Sequence, residues 1–229
     1  MALSYIGAGV VLVCAIPACR PGPLVPEALA PASPDSAVAW ARTTAPRHAA
    51  AIRFKWRYED RKLNGAGRAT ARVAPPDSVR LDYAATLGLS SGAGVVVGDS
   101  VIWADPDQDF RSFIRGVAVF WATLGVARPA PAGAVVTAGT VGSADHPRQA
   151  WRYATGSDTL TYVSGTQVLD VEWRNGSTVV ARSHTERDQR GWPARAQVEF
   201  PEAGARFELT VVGIDTTVVV PPALWRSRR

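Results

Sequence analysis

The chain has 229 residues, enough for one sizeable domain, and its 47% hydrophobic and 20% charged residues describe a globular body rather than a disordered one. Twenty-five basic and 20 acidic side chains leave a formal charge of +5, but the arginines are scattered, so a nucleic-acid partner is not indicated. Cys14 and Cys19 are the only cysteines, which excludes a disulfide scaffold, a cysteine-ligated metal and a cysteine nucleophile in the body.

Ile6 to Ala18 form an apolar run, and no charge occurs from Met1 to Ala18. The run is shorter than the ~20 residues of a spanning helix and suits the core of a signal peptide. It ends in Ile16-Pro17-Ala18-Cys19, which resembles a bacterial lipobox: an aliphatic residue, a variable position, a small residue, then cysteine. The resemblance implies a signal peptide over residues 1–18 and an acylated Cys19 as the first residue of the mature chain. No Lys or Arg precedes the run and Pro17 is an uncommon choice; an ordinary cleaved leader or a short anchor is the alternative. Two or three acyl chains, at ~0.8 kcal/mol per buried methylene, hold a protein at a membrane where one does not. Arg20 rather than aspartate follows Cys19, which in such lipoproteins implies the outer membrane. Residues 19–33 are proline-rich and predict a stiff, extended tether ahead of one domain over residues 34–229.

A helix is predicted from Ser33 or Asp35, with Pro34 in its first turn, carrying Val38 and Trp40 and failing before Pro46. Period-two alternation follows. Ile52, Phe54, Trp56 and Tyr58 point one way; Arg53, Lys55, Arg57 and Glu59 point the other. The pattern returns at Val79/Leu81/Tyr83, Leu169/Val171/Trp173, Ala194/Ala196/Val198/Phe200 and Phe207/Leu209/Val211. Asn175-Gly176 is a strong hairpin signal, with Asn64-Gly65, Gly98-Asp99 and Gly156-Ser157 as weaker ones. Roughly ten short strands without intervening helices predict a mainly β, α+β fold, an antiparallel sheet curled into a barrel or partial barrel. One face is expected to be apolar and the other polar and wet throughout.

One segment breaks the alternation. Asp105-Pro106 opens a helical pattern that carries Phe113, Val117, Phe120, Trp121 and Leu124 and ends at Gly125. Gly116 to Ala127 hold no charge, so this helix is expected to cover the apolar face of the sheet as a lid.

These features, in this order, resemble the LolA/LolB-like superfamily of bacterial lipoprotein carriers and receptors. The residues that carry the resemblance are the lipobox with Cys19, the strand Ile52-Arg53-Phe54-Lys55-Trp56 after a helix, and the run Gly65 to Val73. The stretch Ala74 to Tyr83, the Gly98 to Trp103 hairpin and the helix ending Phe120-Trp121-Ala122-Thr123-Leu124-Gly125 complete it. The resemblance covers most of residues 34–225 and implies an unclosed antiparallel β-barrel with covering helices, whose interior binds the acyl chains of a lipid or lipoprotein. It also implies a role in lipoprotein localisation at the cell envelope, with a periplasmic carrier protein as partner. A loop at the place of Thr86 to Gly92 projects a leucine in LolB-like receptors; Leu87 or Leu89 would match it, unless both fold back onto the sheet.

The expected cavity lining is Phe54, Trp56, Leu81, Tyr83, Trp151, Tyr153, Leu169 and Trp173. The same aromatics fit a filled core equally well, in which case the chain is an envelope lipoprotein that binds a protein partner. Arg53, Arg57, Arg68, Arg72 and Arg80 fit a solvated outer face, although guanidinium forks also suit lipid phosphate. Gly88-Leu89-Ser90-Ser91-Gly92 matches the nucleophile elbow of serine hydrolases, but Val95-Val96-Val97 reads as a strand where that motif needs a helix. His48, His146 and His184 lack a second ligand at metal-site spacing, and Gly92-Ala93-Gly94 lacks a strand-to-helix setting. Binding without a cofactor, a metal or catalysis is the expectation.

Overall fold

The computed structural model describes residues 23–25, 28–62, 64–86, 91–114 and 116–225. Its strands are β1 (Ala30–Pro31), β2 (Ala50–Glu59), β3 (Asn64–Ala74), β4 (Ser78–Ala85), β5 (Ser91–Val97), β6 (Ser100–Asp105) and β7 (Val135–Val141). They continue with β8 (Arg148–Thr155), β9 (Asp158–Ser164), β10 (Val168–Asn175), β11 (Thr178–Arg187), β12 (Pro193–Phe200) and β13 (Ala205–Asp215). All thirteen share one sheet in the order β1-β7-β8-β9-β10-β11-β12-β13-β2-β3-β4-β5-β6. Every neighbouring pair is antiparallel. The edges β1 and β6 do not pair, so the barrel stays open.

The local chemistry follows the alternation. In β2, Ala50, Ile52 and Phe54 are buried while Arg53, Lys55 and Arg57 face solvent. Gly176, in the turn between β10 and β11, takes φ +55°, which the Asn-Gly signal anticipates. The helix α1 (Pro34–Thr44) starts where Ser33 caps it, accepting from the Ser36 N–H at 3.1 Å. Its buried stripe is Ala37, Trp40 and Ala41.

Topology explains the lid. The strands β2 to β6 run as one meander and β7 to β13 as another, joined where β13 pairs with β2. The chain leaving β6 at one edge must therefore cross the open mouth to reach β7 near the other. It crosses as two helices, α2 (Asp107–Phe113) and α3 (Val117–Thr123), not as the single helix expected from Asp105 to Leu124. Ile114 (φ −97°, ψ 67°) and an extended Gly116 (φ −168°) separate them. The physical reason is that α2 packs on β5 and β6 while α3 packs on β10, β11 and β12, and one straight rod cannot follow both. Gly94 lets α2 sit flush, because a Cβ there would fall 2.4 Å from the Phe110 ring.

Two corrections concern the outer face, which is not wet throughout. At β8 to β11 the segment before β1 lies across it. Val25 is 2% exposed against Ala150 and Val163, and the Val25 carbonyl accepts from Arg152 Nη2 at 2.6 Å. Glu172, 2% exposed beneath it, accepts from Arg174 and Arg182 and from the Leu24 N–H at 3.3 Å. At β4 to β6 the C-terminal turn Pro222–Trp225 covers the sheet. There Arg80 is only 4% exposed, donates to the Leu224 carbonyl at 3.0 Å and lies 5.1 Å from the centre of the Trp103 ring. Terminal segments distant in sequence supply the cover, so strand periodicity alone does not show it. Among the described residues no helix is long and apolar enough to cross a membrane.

Candidate functional site

The inner face carries two apolar cores. The larger runs over β2 to β5 and β11 to β13 and is closed by α2 and α3. The smaller lies under α1, where Trp40 stacks on Trp151 with ring centres 5.5 Å apart and meets Tyr162 edge-on at 5.6 Å. The eight residues expected around one hollow divide between these cores. Phe54, Leu81, Trp56, Tyr83 and Trp173 belong with the first, the last three half-buried; Trp151, Tyr153 and Leu169 belong to the second. Trp40 stacks on Trp151, whereas Tyr153 and Trp173, from different cores, border one groove.

What unites part of them is α3. Beneath it lies an apolar slot, bordered by Phe54 of β2, Val198 and Phe200 of β12, Phe207 and Leu209 of β13, and Val119, Phe120 and Leu124 of the lid. The slot holds about 30 Å³, room for about two or three water-sized spheres. Beside the first turn of α3 runs a more open groove of about 360 Å³ bordered by Val117, Ala118, Tyr153, Leu160 and Trp173. Gly116 and Val119 border both spaces, so the first turn of α3 is the partition between them. A third space, about 380 Å³, lies beyond the other end of the helix and meets the slot at Leu124.

The two ends of α3 are held differently. Trp121 is fully buried and donates to the Gly98 carbonyl at 2.9 Å, while Thr185 Oγ1 donates to the Ala122 carbonyl at 2.8 Å. Past the helix, Arg128 donates to Asp99 at 2.8 Å and stands 5.5 Å from the centre of the Trp121 ring. Its backbone N–H donates to Tyr162 Oη at 3.1 Å. At the first turn, Val117 and Ala118 are half-buried and the flanking Gly116 is extended. The helix is anchored at its C-terminal end and held mainly by apolar contact at its start.

Polar chemistry near the slot and the groove is sparse. Trp173 donates to Asp158 Oδ1 at 3.0 Å at the rim of the groove. The Tyr153 hydroxyl is buried with no hydrogen-bond partner among the described residues, and burial, with the Tyr162 phenol second, pushes its pKa well above the ordinary tyrosine value. Arg187, bordering the third space, is pushed down by burial. The arginines expected on the outer face do not converge on the slot: Arg53, Arg57 and Arg68 are exposed, and Arg72 pairs with Asp82 at 2.6 Å.

Sequence reading missed one pair that strand register creates. Asp170 lies opposite His184 across β10 and β11, with His184 Nδ1 2.6 Å from Asp170 Oδ1, and Arg148 joins the same carboxylate. Only knowledge of the pairing partner would have found it. Among the described residues no three His, Cys, Asp or Glu side chains gather as a metal site. Ser91–Val97 is strand β5, so the stretch after the hydrolase-like motif is not helical. Cys19, Leu87, Leu89 and Ser90 lie outside the described residues, and Phe113 is placed only as the last backbone position of α2.

No family model matches the chain, and no curated protein does. Solved structures do. A LolA superfamily protein from Nitrosomonas europaea superposes with a TM-score of 0.55 at 10% identity, over 86% of this chain and 98% of that one. A putative outer membrane lipoprotein-sorting protein domain from Vibrio parahaemolyticus gives 0.49 at 5% identity, over 83% and 97%. A DUF1329 family protein from Desulfovibrio piger gives 0.41 at 12% identity, over 84% and 95%. With its open thirteen-stranded sheet and its mouth crossed by α2 and α3, the chain has the fold of the LolA superfamily.

Proposed function

We propose that this protein binds an acyl chain of a lipid or lipoprotein beneath α3, as a non-catalytic component of the cell envelope. The observation that carries the reading is the partition formed by the first turn of α3, with an open apolar groove on one side and an apolar slot on the other. Lifting that turn about the Trp121 anchor merges the two. The groove alone reaches the ~300–1,000 Å³ range of small-molecule sites. Each methylene that enters contributes ~0.8 kcal/mol, so a tail of about ten methylenes supplies ~8 kcal/mol before the cost of moving the helix. The motion is necessary, because the slot at about 30 Å³ admits no tail as it stands.

The lipobox extends the proposal: acylated Cys19 holds the domain at a membrane, with the outer membrane as the destination and Leu87 or Leu89 as the loop residue that meets the bilayer. Partnership with a periplasmic carrier belongs to the same reading. The test uses the full chain carrying Cys19→Ala, stripped of lipid and titrated with a fluorescent fatty acid. Saturable binding with one or a few sites is expected; its absence overturns the proposal.

The narrowness of the slot favours a second reading, in which the interior is solid and the protein is an envelope lipoprotein that binds a protein partner. Mass spectrometry after native purification separates the two. Co-purified lipid supports acyl binding, whereas a stoichiometric protein without lipid supports the second reading.

A further inference from the structure

The space beyond the C-terminal end of α3 differs in chemistry from the slot and the groove. The loop after α1 and the turn between β11 and β12 form its walls, and Ile52, Val73, Leu124 and Val126 form an apolar floor. Arg47, His48, Arg187 and Arg190 stand around it. Arg190 is already neutralised by Asp188 at 3.0 Å. Arg187 is not. Its Nη2 donates to the Ser164 hydroxyl and to the Gly165 and Val168 carbonyls at 3.0–3.1 Å, and its buried Nε has no partner. All its contacts are to neutral groups, so a half-buried guanidinium stands without a carboxylate among the described residues. Arg47 and His48 are exposed and equally without one.

Among the described residues the cleft thus carries a surplus of positive charge, which attracts an anion, and the exposed Arg47 guanidinium offers a planar fork that matches phosphate oxygens in a way a single point charge does not. The end of α1 does not oppose this strongly. The Thr43 and Thr44 hydroxyls donate to the Trp40 and Ala41 carbonyls at 2.6 and 2.7 Å, blunting the negative pole of the helix.

Three features join this cleft to the slot. Leu124 borders both. Ile52 borders the cleft and Phe54 the slot, two positions apart on one face of β2 and so only ~7 Å from each other along the strand. Gly125, at φ +77° just past α3, leaves room for the Arg187 stem, because a Cβ there would lie 3.3 Å from Arg187 Cδ. At the opposite end the groove is bordered by Asp158 and, among the described residues, by no cation, which disfavours an anion there. The charge distribution thus gives the path a direction: tail toward the groove, head toward the cleft.

We infer that the cleft bounded by Arg47 and Arg187 receives the phosphate-bearing head group of an acyl lipid whose tail runs beneath α3. The inference rests on the acyl-binding reading above and specifies its ligand class. Isothermal titration calorimetry on the full chain carrying Cys19→Ala tests it with three probes below their micellar concentrations: oleoyl lysophosphatidylglycerol, monooleoylglycerol and inorganic phosphate. The lysophospholipid is expected to bind at least tenfold more tightly than the neutral lipid. Arg47→Gln, an exposed loop change that leaves folding intact, and Arg187→Gln are each expected to erase most of that difference without altering monooleoylglycerol binding. Arg190→Gln is expected to change little, because Asp188 already pairs with that side chain. Equal binding of the two lipids overturns the head-group assignment while leaving acyl binding standing. Inorganic phosphate binding as tightly as the lysophospholipid identifies a free-anion site and overturns it too. If neither lipid binds, acyl binding itself fails and the head-group site falls with it.

Discussion

Trp121 donates its indole N–H to the Gly98 carbonyl across 2.9 Å, and through this bond the segment that crosses the open mouth grips the turn between β5 and the edge strand β6. Gly98 itself donates its N–H to the Asp77 carbonyl at 2.9 Å, so the grip extends into the turn between β3 and β4. Replacing Trp121 by Phe removes the donor, strands the carbonyl and leaves a small void. The expected cost is about 2 kcal/mol, from one lost buried hydrogen bond and incomplete filling. Thermal unfolding should show a lower midpoint, and hydrogen exchange should quicken over residues 117–123 before it does in β2. Unchanged exchange in α3 would show that the anchor lies elsewhere.

If the groove is the entry for a hydrocarbon tail, filling it must block binding without harming the fold. Ala118 is half-buried and borders the groove but not the slot. Ala118→Trp places an indole in that space. Fatty-acid affinity is expected to fall by roughly tenfold, equivalent to ~1.4 kcal/mol. Fluorescence titration beside a thermal melt checks this: an unchanged dissociation constant in a folded variant means that tails do not use the groove.

The smaller core depends on one residue of α1. Trp40 stacks on Trp151 and meets Tyr162 edge-on, so Trp40→Ala removes both ring contacts and opens a void the rigid sheet cannot close. A loss of about 3–5 kcal/mol in unfolding free energy is expected. Denaturant titration measures it, and a loss below about 1 kcal/mol would mean that α1 contributes little to holding β8 and β9.

The alternation of Ile52, Phe54 and Trp56 against Arg53, Lys55 and Arg57 was legible because a strand with one dry face imposes a period of two. The Ser33-Pro34 start of α1 was legible for the same kind of local reason, a side-chain cap and a fixed φ. The break between α2 and α3 was not. Apolar residues recur at helical spacing from Phe110 to Leu124 straight through the break, and the bend is set by where β6 and β7 lie in the sheet. Nor was the division of the aromatics, since whether Trp151 faces a hollow or another ring depends on Trp40, more than a hundred residues earlier. The basic cleft escaped for the same reason: Arg47 and Arg187 meet only through the pairing of β2 with β13 and the order of strands beyond it. Residue type marks the greasy face of a strand, but tertiary partners decide whether that face is filled.

The docking of the N-terminal segment onto the outer face supplies a pH test. Burial raises the pKa of Glu172, but bonds from Arg174, Arg182 and the Leu24 N–H outweigh it and hold the carboxyl below its ordinary value. A group depressed in the folded state contributes stability above its unfolded value, about 4.3 for Glu, and that contribution fades as pH falls through the lower folded value. Protonation takes the charge from the acceptor of the Leu24 N–H, so the segment at Leu24 and Val25 should loosen in acid before the sheet does. Hydrogen exchange at those two amides, followed from about pH 6 down to about pH 2 and corrected for intrinsic rates, should show protection lost ahead of global unfolding. Glu172→Gln should abolish this pH dependence and lower stability by about 3 kcal/mol, because two guanidinium groups then lose their shared carboxylate. Equal protection across the range would show that Val25 burial alone, without the Glu172 bond, pins the segment to the sheet.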